Sequence, residues 1–158
     1  MPASDLKLME PLYLATLTVS RVRKRLTRWS NIPWDIFLEF VVPYAVLSEP
    51  RDTTLEFLHD FEAYLNHHTP EDASLSEIAL ILNQKAFAYT DPPIKFEGAP
   101  PNKVNAYSPS EVVKAKAASC TGESVFLVYA LRLVGVPARV AGVPHWDRGI
   151  RICKCFLV

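Results

Sequence analysis

Cysteine is scarce in this sequence. The three present are an odd number, and two fall in the last six residues, so they make no disulfide framework and imply a reducing, cytoplasmic setting. Net charge is missing as well. Lys plus Arg and Asp plus Glu each number 17, which leaves no overall field to hold nucleic acid or an anionic membrane, and neither is expected as a partner. No stretch approaches the roughly 18 consecutive apolar residues that span a bilayer. The N-terminus also lacks a basic region followed by an apolar one and a small-residue cleavage site. No internal repeat or low-complexity tract interrupts the chain. What remains, 158 residues that are 49% hydrophobic and 22% charged, has the balance of one ordinary folded domain. Such a chain buries about two thirds of its unfolded surface, enough for a core without disulfides or metal.

One local bias stands out against the neutral total. "RVRKRLTRW" gathers Arg21, Arg23, Lys24, Arg25 and Arg28, a run able to touch phosphates or headgroups. Since no second basic cluster accompanies it, the expected role is a solvated helix face.

Helical period dominates the first two thirds. "SDLKLMEPLYLATLTVSRVRKRL" opens on Ser4 or Asp5 as a cap, with Pro11 placed to kink or split it. "SNIPWDIFLEFVVPYAVL" offers Ser30 or Asn31 as a cap, Pro33 near a first turn and a nearly all-apolar body, so it predicts a buried helix ended or bent by Pro43. Two further helices follow from Leu55, Leu58, Phe61 and Leu65, and from Ile78, Leu80, Ile81, Leu82 and Phe87. "TDPPIKFEGAPPNKVNAY" is a loop by its prolines and Gly98, long enough to suggest a function. Ser108, Pro109 and Glu111 then form a capping box that opens a short helix.

Next comes "AASCTGESVFLVYALRLVGVPARVAGVPHW". After Cys120 the apolar period runs through Val125, Phe126, Tyr129, Leu131 and Val134 and is closed by Gly135 and Pro137, while "ARVAGV" reads as a short strand. A helix N-terminus carries unpaired N–H groups and about half a positive charge, which favours a thiolate and can hold the oxyanion formed when that thiolate attacks an acyl carbon. Ser119 or Thr121 suits a cap, and Gly122 suits the close approach of a substrate backbone. Unpaired cysteine usually packs as a small hydrophobe, yet the polarity of "SCTGES" favours a reacting one.

Together, "ASCTG", the apolar helix, "ALRLVGVPARVAGVPHW", "IFLEFVVPYAVLSEPRD" and "ILNQKAF" resemble the transglutaminase-like superfamily, over nearly all of residues 5–148. The resemblance implies acyl transfer by a Cys, His, Asp triad, with Cys120 as the nucleophile. It also implies that the strand after "PARV" leads through a turn to a His-bearing strand and then to an Asp. Here that region reads "DRGIRICKCFLV", with no His or Asp after Asp147. A pattern that stops in this way is what a frameshift, an altered splice or a truncated gene model produces. The sheet behind the cysteine helix then keeps "ARVAGV" with at most "IRICKCFLV" beside it.

Other chemistry-bearing residues read as structural. His145 is the nearest imidazole but sits in the turn before Trp146, and His59, His67 and His68 read as polar positions on or just after an upstream helix. "CKC" at Cys153 and Cys155 lacks a second pair for zinc, and Asn83 or Gln84 is read as an exposed helix position before an oxyanion donor. No metal or cofactor is expected.

The expected fold is α+β, a helical lead-in (residues 1–107) packed on an incomplete papain/transglutaminase-like core (residues 108–158), as one structural unit in which the Cys120 helix meets a small antiparallel sheet. The expected function is that of a transglutaminase-like protein whose complete homologues carry out thiol acyl transfer or amide hydrolysis on a peptide or protein substrate, with little or no turnover from these 158 residues. The alternative from another class is a non-catalytic peptide-binding or scaffold protein that uses the "DPPIKFEGAPP" loop.

Overall fold

A computed structural model describes residues 11–52, 54–98, 107–142 and 153–157. Their order is α1 (Pro11–Thr27), α2 (Trp34–Phe40), α3 (Leu55–His68), α4 (Leu75–Lys85), a 3₁₀ turn (Phe87–Tyr89), β1 (Lys95–Phe96), α5 (Pro109–Ala115), β2 (Ala117–Ala118), α6 (Cys120–Leu133), β3 (Ala138–Gly142) and β4 (Cys153–Leu157). The class is α+β. No helix among the described residues is long and apolar enough to cross a membrane.

α6 lies at the centre, against α1, α3, α4 and α5 and against β2, β3 and β4. Its apolar residues are buried all round, including Val125, Phe126, Val128, Leu131 and Leu133. Each such side chain contributes about 1.5–3 kcal/mol of burial. Phe61 of α3 stacks on Phe126 with ring centroids 5.1 Å apart, and Tyr89 meets Phe61 edge-on at 4.8 Å. The expected capping box is present, Ser108 and Glu111 closing it on α5 with Pro109 in its first turn, and Ser74 and Glu77 form a second one on α4 that the sequence reading did not single out.

The basic run corrects the expectation of a solvated face. The buried row of α1 is Tyr13, Leu17, Arg21 and Arg25, spaced by four, so two guanidinium groups point into the protein. Arg21 Nη1 donates to the carbonyls of Val42 and Pro43 at 2.9 and 3.0 Å. Arg25 Nη2 donates to the Ile32 carbonyl at 2.7 Å, with its guanidinium 3.9 Å above the Trp34 ring. Lys24 pairs with Glu62 and donates to the Leu133 carbonyl at 2.6 Å, which ties α1 to the end of α6. Arg23 alone of the five stays exposed.

α2 is also shorter than the apolar run predicts. It starts after Pro33 with no side-chain cap and stops at Phe40, and Trp34 and Leu38 on its outer face are 50% and 58% exposed. The chain beyond it leaves helix because Pro43 lacks an N–H, and because arginines satisfy its carbonyls from outside. Arg132 Nη1 donates to Pro43 at 3.2 Å and to Ala45 at 2.8 Å, beside the bonds from Arg21. The proposed caps Ser4 and Asp5 lie outside the described residues.

Two small sheets complete the fold. β3 pairs antiparallel with β4, from Ala138 opposite Leu157 to Gly142 opposite Cys153, the small antiparallel sheet that the sequence predicts. The second sheet is a correction. Within the proline-rich stretch read as loop, β1 pairs parallel with β2, Lys95 opposite Ala117 and Phe96 opposite Ala118.

Candidate functional site around Cys120

Ser119 is the N-cap of α6, in extended conformation, and its Oγ accepts the N–H of Gly122 at 3.3 Å. Cys120 is therefore the first residue of the helix, half-buried and not in a disulfide. The polar "SCTG" before an apolar period produces this local structure because the cap needs a short oxygen-bearing side chain and the first turn can still face outward. The start of α6 also carries the positive end of its helix dipole.

Gly122 has a packing role in this turn. A Cβ built there would lie 3.0 Å from the Cβ of Ala118, so the missing side chain lets the first turn of α6 sit tightly on β2. Glu123, one turn beyond Cys120, is half-buried, and desolvation pushes its carboxyl above the ordinary range.

The feature that sequence reasoning missed is the placement of β1 beside this turn. The N–H of Lys95 donates to the Lys116 carbonyl at 3.1 Å, and that of Glu97 donates to the Ala118 carbonyl at 2.8 Å. The two strands run parallel, and the last bond between the two segments, from the Glu97 N–H to Ala118, lies just before the cap of α6. No local signal reveals this, since the pairing joins residues more than twenty positions apart.

The remaining candidates with described side chains sit on α3 and α4. His145 lies outside the described residues, and of Cys153 and Cys155 only the backbone, in β4, is described. His59 and His67 are exposed on α3, while His68 Nδ1 lies 2.9 Å from the Tyr64 carbonyl in the last turn of the same helix. Asn83 and Gln84 are exposed on α4. Among the described residues no group of three or more His, Cys, Asp or Glu side chains is placed to hold a metal ion.

Buried polarity elsewhere is structural. Asp52 accepts from the backbone N–H of Ser110 at 3.1 Å and from its hydroxyl, which caps α5, and burial raises its carboxyl. The Tyr13 and Tyr129 hydroxyls meet at 2.7 Å between α1 and α6. An open cleft of about 640 Å³ between α1 and α3, lined by Lys24, Arg28, Asn66 and Glu71 among others, does not include Cys120.

No match is found among curated proteins or among solved structures. The sequence pattern of one family, described as the transglutaminase-like superfamily, matches residues 60–155. That span takes in the last two thirds of α3, every element from α4 to β3 with the whole of α6 among them, and the first residues of β4. It covers more than half of the chain, which therefore belongs to the transglutaminase-like superfamily.

Proposed function

We propose that this protein descends from thiol acyl-transfer enzymes and that Cys120 is its nucleophile toward an amide or peptide carbonyl. The observation that carries this reading is the half-exposed thiol at the first position of a capped helix, inside a segment that the family pattern spans. Attack by the thiolate on the carbonyl carbon gives a tetrahedral oxyanion, favoured by the positive end of the α6 dipole. Collapse of that oxyanion forms a thioester and releases the amine, and water or a second amine then resolves the thioester. An imidazole would take the thiol proton and pass it to the leaving amine.

The papain-like arrangement remains part of this proposal, with residues 1–107 as a helical lead-in and residues 108–158 as a partial core. The substrate is a peptide or protein carrying the amide. His145 is the one histidine after Cys120 and no Asp follows Asp147, so the 158-residue chain by itself is expected to turn over little or not at all. A non-catalytic peptide-binding role is the second reading, favoured by the exposed Phe96 on β1.

The test is an assay of ammonia release and of primary-amine incorporation on blocked glutamine peptides. The expected result is no difference between the 158-residue chain and its Cys120→Ala variant. Activity lost in both Cys120→Ala and His145→Ala would contradict the expected inactivity and assign His145 as the base.

A further inference from the structure

We infer that the outer face of α1 is an interface between two copies of this chain, packed antiparallel about a two-fold axis at Val19, so that Arg23 of each copy meets Glu56 of the other.

α1 presents apolar side chains on two opposite sides. The row Tyr13, Leu17, Arg21 and Arg25 packs inward. On the other side Leu12, Val19 and Leu26 stand 62%, 66% and 63% exposed, with exposed Ala15 beside them. The three are seven residues apart, close to two turns of helix, so they form one line about 21 Å long. Single exposed leucines are ordinary, but three large apolar residues in line at coiled-coil spacing mark a packing seam.

The spacing is symmetric about Val19, which identifies the occupant. In an antiparallel pair Val19 meets Val19 of the other copy, and each Leu12 meets Leu26 of the other copy, the self-complementarity that a two-fold interface requires.

Charge sets the direction. Ser20 donates to Glu62 at 2.5 Å, Lys24 pairs with the same carboxylate, and Arg28 donates to the Pro70 carbonyl, so α1 and α3 lie side by side and run the same way. Val19 and Arg23 of α1 and Glu62 and Asn66 of α3 border an open groove of about 620 Å³ between the two helices, so the flank of α1 that carries Arg23 is the one toward α3. Glu62 is level with the turn from Ser20 to Lys24, and exposed Glu56, six residues and about 9 Å earlier, is level with Thr16. Reversal about Val19 carries the exposed Arg23 of one copy to the level of Ala15 of the other, one residue from the level of Glu56. A parallel pair would instead set Arg23 against Arg23 and Glu56 against Glu56, which like-charge repulsion disfavours.

The face is about 21 Å long and two helices wide, roughly 400 Å² per copy, which is half the ~800 Å² of a standard interface. The dimer is therefore weak and reversible, with a dissociation constant of about 10–100 μM.

The test is sedimentation velocity of the 158-residue chain from 5 to 500 μM, with reductant present so that no cysteine links two copies. The expected result is a monomer–dimer equilibrium that Val19→Glu, an exposed position whose change spares the fold, weakens at least tenfold. Arg23→Glu and Glu56→Arg should each weaken it about fivefold, and the double variant Arg23→Glu/Glu56→Arg should restore it. Protein that stays monomeric to 500 μM, or self-association indifferent to Val19→Glu, would overturn the proposal. A double variant no tighter than the single ones would overturn the antiparallel arrangement. A monomer that sediments with vesicles of anionic lipid, and loses this in Val19→Glu, would assign the face to a membrane surface and overturn the dimer.

Discussion

Arg21 of α1 and Arg132 of α6 donate to the same acceptor, the carbonyl oxygen of Pro43, at 3.0 and 3.2 Å. Desolvation by burial pushes both guanidinium groups down to about 10, and the charge on Arg21 lowers Arg132 further. Their bonding differs, however. Arg132 also reaches Ala45 and Ala138, whereas Nε and Nη2 of Arg21 are buried without a hydrogen-bond partner. Replacing a poorly satisfied buried charge with an apolar chain is often neutral, while losing several charge-assisted bonds costs about 1.5–3 kcal/mol each. Urea unfolding is therefore expected to find Arg132→Met destabilised by at least about 2 kcal/mol more than Arg21→Met. Equal losses would show that Arg21 carries a share of the fold that its bonding does not explain.

The Tyr13–Tyr129 contact makes a pH-dependent prediction. Desolvation, the larger cause, pushes the Tyr13 phenol up to about 12, against an ordinary value of 10.0. The folded chain therefore holds this proton to higher pH than the unfolded chain does, so its contribution is complete below pH 10 and is lost as pH rises from 10 toward 12. Tyr13→Phe removes both the hydrogen bond and the titration. At pH 8 it should cost about 1–2 kcal/mol, and by pH 11 the gap from the parent protein should shrink by about 1 kcal/mol. A gap unchanged between the two pH values would contradict the burial argument.

Gly135 ends α6 in the left-handed region, φ 86°, and a Cβ there would lie 2.7 Å from Cδ1 of Trp29, whose Nε1 donates to the Val134 carbonyl at 2.8 Å. Gly135→Ala meets both penalties: about 1–2 kcal/mol for the conformation and a further ~1–3 kcal/mol for displacing the indole. Thermal unfolding should show a clear loss. Gly98→Ala, in open space and without positive φ, should leave the midpoint within a degree or two.

The contrast between these sites also shows what the sequence makes legible. α6 is readable because its start and stop are local: Ser119 and Cys120 before an apolar period, Gly135 and Pro137 after it. The burial of Arg21 and Arg25 had a weaker signal, since both continue the four-residue row of Tyr13 and Leu17. Their acceptors are carbonyls of Ile32, Val42 and Pro43, and no pattern of charges announces a carbonyl. The same bonds explain why α2 stops early even though its apolar run goes on. β1 was hidden for a third reason, since Lys95 and Phe96 become a strand only through β2, and proline-rich surroundings argue locally for loop.

Ser119→Ala removes the oxygen that accepts the Gly122 N–H, and should cost about 1 kcal/mol of stability. Cys120 should also lose reactivity toward haloacetamides as the first turn frays. Reactivity that rises with the fraying would mean the capped turn shields the thiol, and would contradict its presentation by the helix start.

The reading of Cys120 as a nucleophile is tested most directly by competitive labelling. Folded protein at pH 7 is treated with a limiting amount of iodoacetamide, quenched, digested and quantified at each of the three cysteines. The account predicts that Cys120, half-exposed at the capped start of α6, is labelled several times faster than Cys153 or Cys155, and that the preference disappears in urea. Labelling of Cys120 that is equal to or slower than that of the other two in the folded protein would contradict it, and would leave this cysteine a packing residue.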